Sequence, residues 1–213
     1  MPLDSKRGDF RKQFLFVRGK GEVDPVGLPP GWSCEKLGAW NLYHGGQLPF
    51  QRSGNFAVLG LAHDFDVGEV LEDANCGGTS GEQRVLWLGG RFLLFECKEH
   101  DRIDIFSDPG GSLSCFLHPE MGWLASTPAL IREVFGARFP DRPPSERKVL
   151  ARLVEHSGTW YPAGLTELAG WELLPPSHKT EIGPEGRLAS QRIWPASGTH
   201  ETAPREVLSK FVV

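Results

Sequence analysis

The chain has 213 residues, a net charge of −4 and a hydrophobic fraction of 39%. This length suits one large domain or a tight pair of small ones, and a single domain of this size buries roughly 70% of its unfolded surface without disulfide bonds. The sequence has no basic stripe, so we expect no nucleic-acid partner, because phosphate binding needs clustered Lys and Arg. No apolar run reaches the roughly 18 residues of a membrane-spanning helix, and the N-terminal residues are polar rather than typical of a signal peptide. We therefore expect a cytoplasmic protein with no membrane partner.

The four cysteines are Cys34, Cys76, Cys97 and Cys115, and no two of them form a Cys-x-x-Cys pair. In the absence of an export signal we interpret them as reduced thiols, mostly buried. Structural zinc sites need convergent ligands, with at least one short-spaced pair. The cysteine spacing therefore predicts no metal site.

The first third of the chain predicts short strands separated by Gly- and Pro-rich turns. The predicted strands are residues 10–17, 40–43 and 56–62. Residues 24–32 are predicted to form a loop, and the polar, glycine-rich residues 75–82 an exposed turn.

The middle of the chain predicts a meander of short antiparallel strands, and helices follow it. The predicted strands are residues 84–88, 91–97, 102–107, 114–117 and 122–126, with turns at Gly89-Gly90, 98–101 and 108–111. Thr127 is a predicted N-cap with Pro128 at the first helical position, and Gly136 is the predicted end of that helix. The remaining predictions are helices over 145–156 and from 202 to 211, and strands over 166–173, 179–182 and 188–194.

Several short sequence pieces occur in a characteristic order. The first are Gly90-Arg91-Phe92, a charged hairpin over 96–102, Asp108-Pro109-Gly110-Gly111 and Leu124-Ala125-Ser126. Further along, Thr159 and Gly164-Leu165 precede Leu174-Pro175-Pro176-Ser177-His178, and Arg192-Ile193-Trp194 follows. Together these pieces resemble the N-terminal domain of the asparagine-synthetase family, a class II glutamine amidotransferase domain that closes with Arg-Tyr-Trp. The resemblance covers roughly residues 84–194.

The resemblance implies an α+β fold, the four-layer αββα sandwich of N-terminal-nucleophile (Ntn) hydrolases, with two antiparallel sheets and flanking helices. Residues 1–200 would be the glutaminase-like domain, and residues 201–213 the start of a linker or helix toward a C-terminal ATP-pyrophosphatase (synthetase) domain. That domain, in cis or in trans, is the implied partner, and ATP and Mg are expected only there. The structural family-motif residues are Gly90, Phe92, Asp108, Gly111, Ala125, Ser126, Gly164, Pro175 and Pro176.

Two of those motif residues also have a direct physical interpretation. Asp108 can accept hydrogen bonds from the backbone N–H groups of its own turn, and Gly111 can adopt a positive φ. Both roles are structural, so neither residue is predicted to be catalytic.

Glutamine hydrolysis in this family needs an N-terminal cysteine nucleophile, and this chain has Pro2 at the corresponding position. The family's Asn-Gly pair, which donates to the oxyanion, is replaced within residues 59–66. We therefore predict a non-hydrolytic domain with no catalytic, cofactor or metal residues of its own. β-Lactam synthetases and lasso-peptide cyclases are relatives that likewise lack the nucleophile.

Several alternatives stay open at this stage. Cleavage after Ser33 would expose Cys34 as a nucleophile, residues 107–112 superficially resemble a pyrophosphate-binding loop, and residues 63–66 include potential metal ligands. The chain could also be a stand-alone binding or scaffolding module for a separate synthetase, an active amidotransferase with an unrecognised nucleophile, or a homodimer. A docking surface is expected near Leu168, Trp171 and Trp194, although each of these residues also suits an inward-facing core position.

Overall fold

The fold is described from a computed structural model. The structure describes residues 10–19, 28, 30–65, 68–71, 79–157, 166–186 and 188–193. In these ranges the strands form two sheets, and every strand pair is antiparallel.

The first sheet has six strands with β1 near its centre. In spatial order they are β11 (Glu172–Leu173), β9 (Phe116–His118), β10 (Trp123–Ala125), β1 (Phe14–Arg18), β3 (Trp40–Gly45) and β2 (Trp32–Leu37). Four of the five residues of β1 are buried, which is typical of a strand paired on both edges and covered on both faces.

The second sheet has seven strands and is built around the long pair β5 and β7. In spatial order they are β13 (Leu188–Arg192), β12 (His178–Ile182), β8 (Ile103–Ser107), β7 (Leu88–Cys97), β5 (Phe56–Asp64) and β4 (Phe50–Ser53), and β6 (Glu69–Val70) also pairs with β5.

The two sheets pack face to face over one hydrophobic core. Phe16 of β1 stacks on Trp40 with ring centroids 5.1 Å apart, and it meets Phe95 of the second sheet at 5.5 Å. Alternate residues of β5 and β7, such as Leu59 and Leu93, face this core, because side chains alternate between the faces of a strand.

Helices lie on the outer faces of both sheets. Helix α2 (Pro128–Phe135) packs on the first sheet, where Phe135 stacks on Trp123 with ring centroids 5.3 Å apart. Helix α1 (Gly81–Val85) lies against the second sheet, and its Val85 joins a second hydrophobic cluster with Phe92 and Leu94. The layer order is therefore αββα, in an α+β fold, which confirms the predicted fold class.

Most of the predicted elements between residues 84 and 136 are confirmed. The strands β7 to β10 are present, but β7 pairs with β8 in the second sheet and β9 with β10 in the first, so the predicted meander is divided between the two sheets. Thr127 accepts a hydrogen bond from the N–H of Leu130 over 3.2 Å at the start of α2. Gly136 ends that helix with a φ of 56°. The predicted second helix is α3 (Pro144–Ser157). No described helix is long and apolar enough to cross a membrane.

Four predicted elements are wrong in part. Residues 84–88 were expected to be a strand, but residues 81–85 form α1, and the turn expected at Gly89-Gly90 lies inside β7. The strand expected over 166–173 is reduced to β11. The strand expected from residue 10 begins at Phe14, after a 3₁₀ turn over Phe10–Lys12.

Some predictions fall outside the described residues, so the structure leaves them as predictions. They are the helix over 202–211, most of the loop over 24–32, Cys76, Gly164 and Trp194.

Candidate functional site

A cavity of about 670 Å³, here called the apolar cavity, lies on the outer side of the second sheet. It is lined by Phe65, Val85, Leu86, Trp87, Leu88, Ser107, Pro109, Ser177 and Ile193. Ligand pockets in proteins are commonly about 300–1,000 Å³ and mostly apolar. The cavity therefore has the size of a binding site.

One wall of the cavity is formed by Phe65 and the connection from α1 to β7. The N–H of Phe65 donates to the carbonyl of Trp87 over 3.0 Å, which joins the end of β5 to this connection. The Phe65 ring lies so close over Gly89 that a Cβ there would be 2.2 Å from its Cζ. Helix α1 is anchored by Glu96, whose carboxylate accepts the N–H of Gly81 over 3.1 Å.

This wall exposes large apolar side chains to solvent. Trp87 is 54% exposed, Phe65 is 68% exposed and Leu86 is 49% exposed. Contiguous exposed apolar residues beside a cavity are typical of an interaction surface. We call these three residues the apolar rim.

The opposite wall is formed by two turns that bond to each other. Asp108 is fully buried, and its carboxylate accepts the N–H groups of Gly110, Ser112 and Leu113 over 3.0, 3.0 and 3.1 Å. Its carbonyl accepts the N–H of Ser177 over 3.4 Å. The predicted role of Asp108 in its own turn is confirmed by these bonds.

The same two turns also contact each other through Gly111 and Pro176. Gly111 has a φ of 60°, and a Cβ there would lie 3.0 Å from the Cβ of Pro176. The backbone conformation and the close approach both favour glycine. The carbonyl of Pro175 accepts a hydrogen bond from the hydroxyl of Ser107 over 3.1 Å, which fixes the turn to the end of β8.

The described lining of the cavity is apolar apart from two hydroxyl groups. The described residues that line it carry no ionisable side chain. The hydroxyls of Ser107 and Ser177 donate to the carbonyls of Pro175 and Pro109 over 3.1 and 3.3 Å. A surface of this kind suits the burial of an apolar group of a ligand or partner.

Three further motif residues lie away from the cavity. Gly90 has a φ of 121° within β7, and a Cβ there would meet the carbonyl oxygen of Leu61 at 2.4 Å. Ser126 accepts the N–H of Phe14 on its hydroxyl over 3.0 Å and contacts Gln13, and Ala125 pairs with Leu15. These residues position strands, and their assignment as family-motif residues stays a prediction.

The described cysteines lie in three different environments. Cys115 is buried, and burial raises the pKa of its thiol far above the ordinary range. Burial also raises the pKa of Cys97, with the nearby Arg52 opposing the shift. Cys34 is exposed on β2, opposite Tyr43 of β3. Cleavage after Ser33 would remove β1, which pairs with β3 and β10 in the sheet, so the geometry argues against Cys34 as an N-terminal nucleophile.

The remaining sequence hypotheses can be placed on the structure. The N–H groups that a pyrophosphate would need in the 108–113 turn are already bonded to Asp108. Asp64, within the suggested metal-ligand run, forms a salt bridge with Arg84. In the described ranges no group of three or more metal-binding side chains occurs.

The expected docking surface near residues 168–171 is not there. Leu168 and Trp171 are both fully buried, and Trp171 packs against His118 and Phe139 with ring centroids 5.4 Å apart in each case. Both are core residues, which is the inward-facing alternative that the sequence also allowed. Sequence reasoning missed the apolar rim, for which the signal was the unbroken apolar run from Val85 to Leu88 beside a glycine pair.

Comparisons with known proteins show no family for this chain. No protein-family model matches the chain, and no curated protein matches it. Among solved structures, the chain is similar to one described as the structure of the allosteric regulatory enzyme of purine biosynthesis, with a TM-score of 0.40 and 11% identity. The similarity covers 86% of this chain and 43% of that one, so the chain spans less than half the length of that protein.

Proposed function

We propose that this chain is a non-hydrolytic glutaminase-like domain that acts as a docking domain for an ATP-dependent, amide-forming synthetase domain of the asparagine-synthetase type. ATP and Mg²⁺ would be bound by that second domain, whether it is joined to this chain or supplied by another protein. The observation that carries the docking role is the apolar cavity with its exposed apolar rim.

The loss of hydrolysis is supported at the beginning of β1. In the described part of the chain, β1 begins at Phe14 after a 3₁₀ turn over Phe10–Lys12 that contains no Cys, Ser or Thr. The described cysteines do not lie at the beginning of β1. Burial raises the pKa of Cys97 and Cys115, which disfavours their reactive thiolate forms. The hydroxyl of Ser126 accepts the N–H of Phe14, so this group already holds β1 in place.

The docking role is supported by the chemistry of the apolar rim. Trp, Phe and Leu at the centre of an interface supply most of the contact area, and Trp is common among residues that dominate binding energy. Trp87 and Phe65 present large exposed faces here, and the described residues of the cavity lining carry no charge. A monomer in water gains nothing from this exposure, whereas a bound domain would remove it from solvent.

The docking role is tested with the synthetase domain itself. The gene is sequenced past the codon for Val213, and neighbouring genes are searched for a Ser-Gly-Gly-x-Asp-Ser segment. The synthetase domain so identified is titrated into this chain by calorimetry. We expect one-to-one binding that Trp87→Asp weakens by at least about tenfold, which corresponds to about 1.4 kcal/mol.

The matched control is Ser33→Asp, which adds the same charge at an exposed position of β2 on the other sheet. We expect it to bind like the unsubstituted chain. The docking proposal fails if no such synthetase is encoded, or if both variants bind the synthetase domain equally well.

A further inference from the structure

In the described part of the chain, the large apolar side chains that are exposed to solvent all lie at one corner of the second sheet. Three of them form the apolar rim, and the fourth is Leu61 of β5, which is 52% exposed. Leu61 does not line the apolar cavity. The exposed apolar surface therefore extends beyond the cavity, along β5 and β7.

Leu61 forms a cross-strand pair with a charged residue, Arg91 of β7. The two residues are directly opposite each other in the register of β5 and β7, so their side chains project from the same face with Cβ atoms about 5 Å apart. The next pair on this face, Leu59 with Leu93, is fully buried in the core between the sheets. Leu61 and Arg91 are both exposed, so the first sheet does not cover the face as far as this pair.

The Leu61–Arg91 pair adjoins the apolar rim through Gly89. The Phe65 ring lies over Gly89, and Arg91 is two residues farther along β7, about 7 Å away on the same face. His63, the cross-strand partner of Gly89, is exposed between Leu61 and Phe65. The rim and the pair are therefore parts of one continuous surface.

The charge of Arg91 is not balanced by any described side chain. Arg84, near α1, forms a salt bridge with Asp64, whereas the Arg91 guanidinium makes no ion pair within the described ranges. A partner that covered Leu61 would also remove water from this guanidinium, and burying a charge without a partner is strongly unfavourable. A carboxylate is the group that best replaces that water, because it accepts two parallel hydrogen bonds from a guanidinium.

We infer that the synthetase domain docks over the Leu61–Arg91 pair as well as the apolar rim, and that an Asp or Glu side chain of that domain binds the Arg91 guanidinium. The inference rests on the docking half of the proposed function and names the chemistry of the partner surface, which is apolar with a carboxylate at its margin. The apolar contacts supply affinity, and the ion pair steers association and fixes the orientation of the docked domain.

Calorimetric titration of the synthetase domain at about 50 mM and about 300 mM NaCl tests this inference, because salt screens an exposed or partly exposed ion pair. We expect the unsubstituted chain to bind more weakly at the higher salt concentration. Arg91→Glu should weaken binding at least about tenfold at low salt, since it places two carboxylates together. Arg91→Ala should bind with a smaller salt dependence, and Arg91→Lys, which keeps the charge, should retain the salt dependence.

The matched control is Lys36→Glu, which makes the same charge reversal at an exposed position of β2 in the first sheet. It should bind like the unsubstituted chain at both salt concentrations. Far-UV circular dichroism should be the same for every variant, because Arg91 and Lys36 are exposed.

Three results would overturn the inference. The first is equal affinity and equal salt dependence of Arg91→Glu and the unsubstituted chain; if Trp87→Asp still weakens binding, the docking role stands without the ion pair. The second is no binding of the synthetase domain at either salt concentration, which would also remove the proposed function. The third is a dimer in light scattering that dissociates in Arg91→Glu, which would show that a second copy of this chain supplies the carboxylate.

Discussion

The N–H of Ile193 donates to the carbonyl oxygen of Ser177 over 2.9 Å, and the N–H of Ser177 donates in turn to the carbonyl oxygen of Asp108 over 3.4 Å. These bonds tie the end of β13 to the Asp108 turn, although the residues are far apart in sequence. The turn therefore shapes one cavity wall and holds the end of β13 beside it.

Asp108→Ala is expected to destabilise the fold strongly. The change removes an acceptor for three backbone N–H groups in a fully buried position, and buried donors left without partners cost about 1–3 kcal/mol each. We expect a loss of at least about 3 kcal/mol in urea-induced unfolding. Glu99→Gln, at an exposed turn position, serves as the control, and an equal effect of both changes would contradict the structural role of Asp108.

Gly90→Ala is expected to lower the free energy of unfolding by at least about 2 kcal/mol. Gly90 has a φ of 121°, and the added Cβ would lie 2.4 Å from the carbonyl oxygen of Leu61. Gly54→Ala is the matched control. Gly54 also has a positive φ, 56°, but nothing lies within 4 Å of the added carbon. We expect Gly54→Ala to lower the free energy of unfolding by about 1 kcal/mol, from backbone strain alone. Equal decreases in the two variants would argue against the close approach of β5 and β7.

Stability is expected to depend on the titration of His118. Burial among aromatic rings lowers the pKa of His118, Glu120 opposes the shift and Arg138 adds to it. The unfolded state, with a pKa near 6.5, then binds a proton more readily than the folded state. The contribution of His118 is therefore complete above that pH and is lost as the pH falls through the lower pKa of the folded state.

His118→Phe should remove this part of the pH dependence. The free energy of unfolding should decrease between about pH 7.5 and about pH 5.5, and this decrease should be smaller in His118→Phe than in the unsubstituted chain. A steeper loss in His118→Phe than in the unsubstituted chain would contradict the sign of the shift.

Thiol labelling should separate the described cysteines. Cys34 is exposed and should react with a maleimide in the native protein, whereas Cys115 is buried with a raised pKa and should react after denaturation. Cys97 is half-buried, and burial raises the pKa of its thiol, so it should react more slowly than Cys34. Peptide mapping by mass spectrometry checks this order, and rapid labelling of Cys115 in the native state would contradict its place in the core.

Local patterns predicted the middle of the fold because the interactions there are local. The turn at Asp108, the cap at Thr127 and the strand alternation over 103–107 each depend on neighbours a few residues away. These signals were enough for the individual strands and the first sizeable helix, but not for the division of the strands between two sheets.

Tertiary contacts decided the parts that the sequence alone did not predict. The apolar run from Val85 to Leu88 has strand-like composition, but Ser80 caps a helix just before it, and Glu96, sixteen residues after the cap, accepts the first helical N–H. The Gly89-Gly90 pair has the composition of a turn, yet its conformational freedom serves close packing between β5 and β7. The cavity itself joins residues from 65 to 193, a separation that no local pattern encodes.

The central claim is that this domain does not hydrolyse glutamine, and glutamate release by the purified full-length chain tests it most directly. Removal of the nucleophile eliminates the covalent route, and loss of one oxyanion donor alone can cost about 10²–10³ in rate. We predict no glutamate above the protein-free blank, in the unsubstituted chain and in Cys34→Ala alike. Steady glutamate release that disappears in Cys34→Ala would contradict the account and identify Cys34 as a nucleophile.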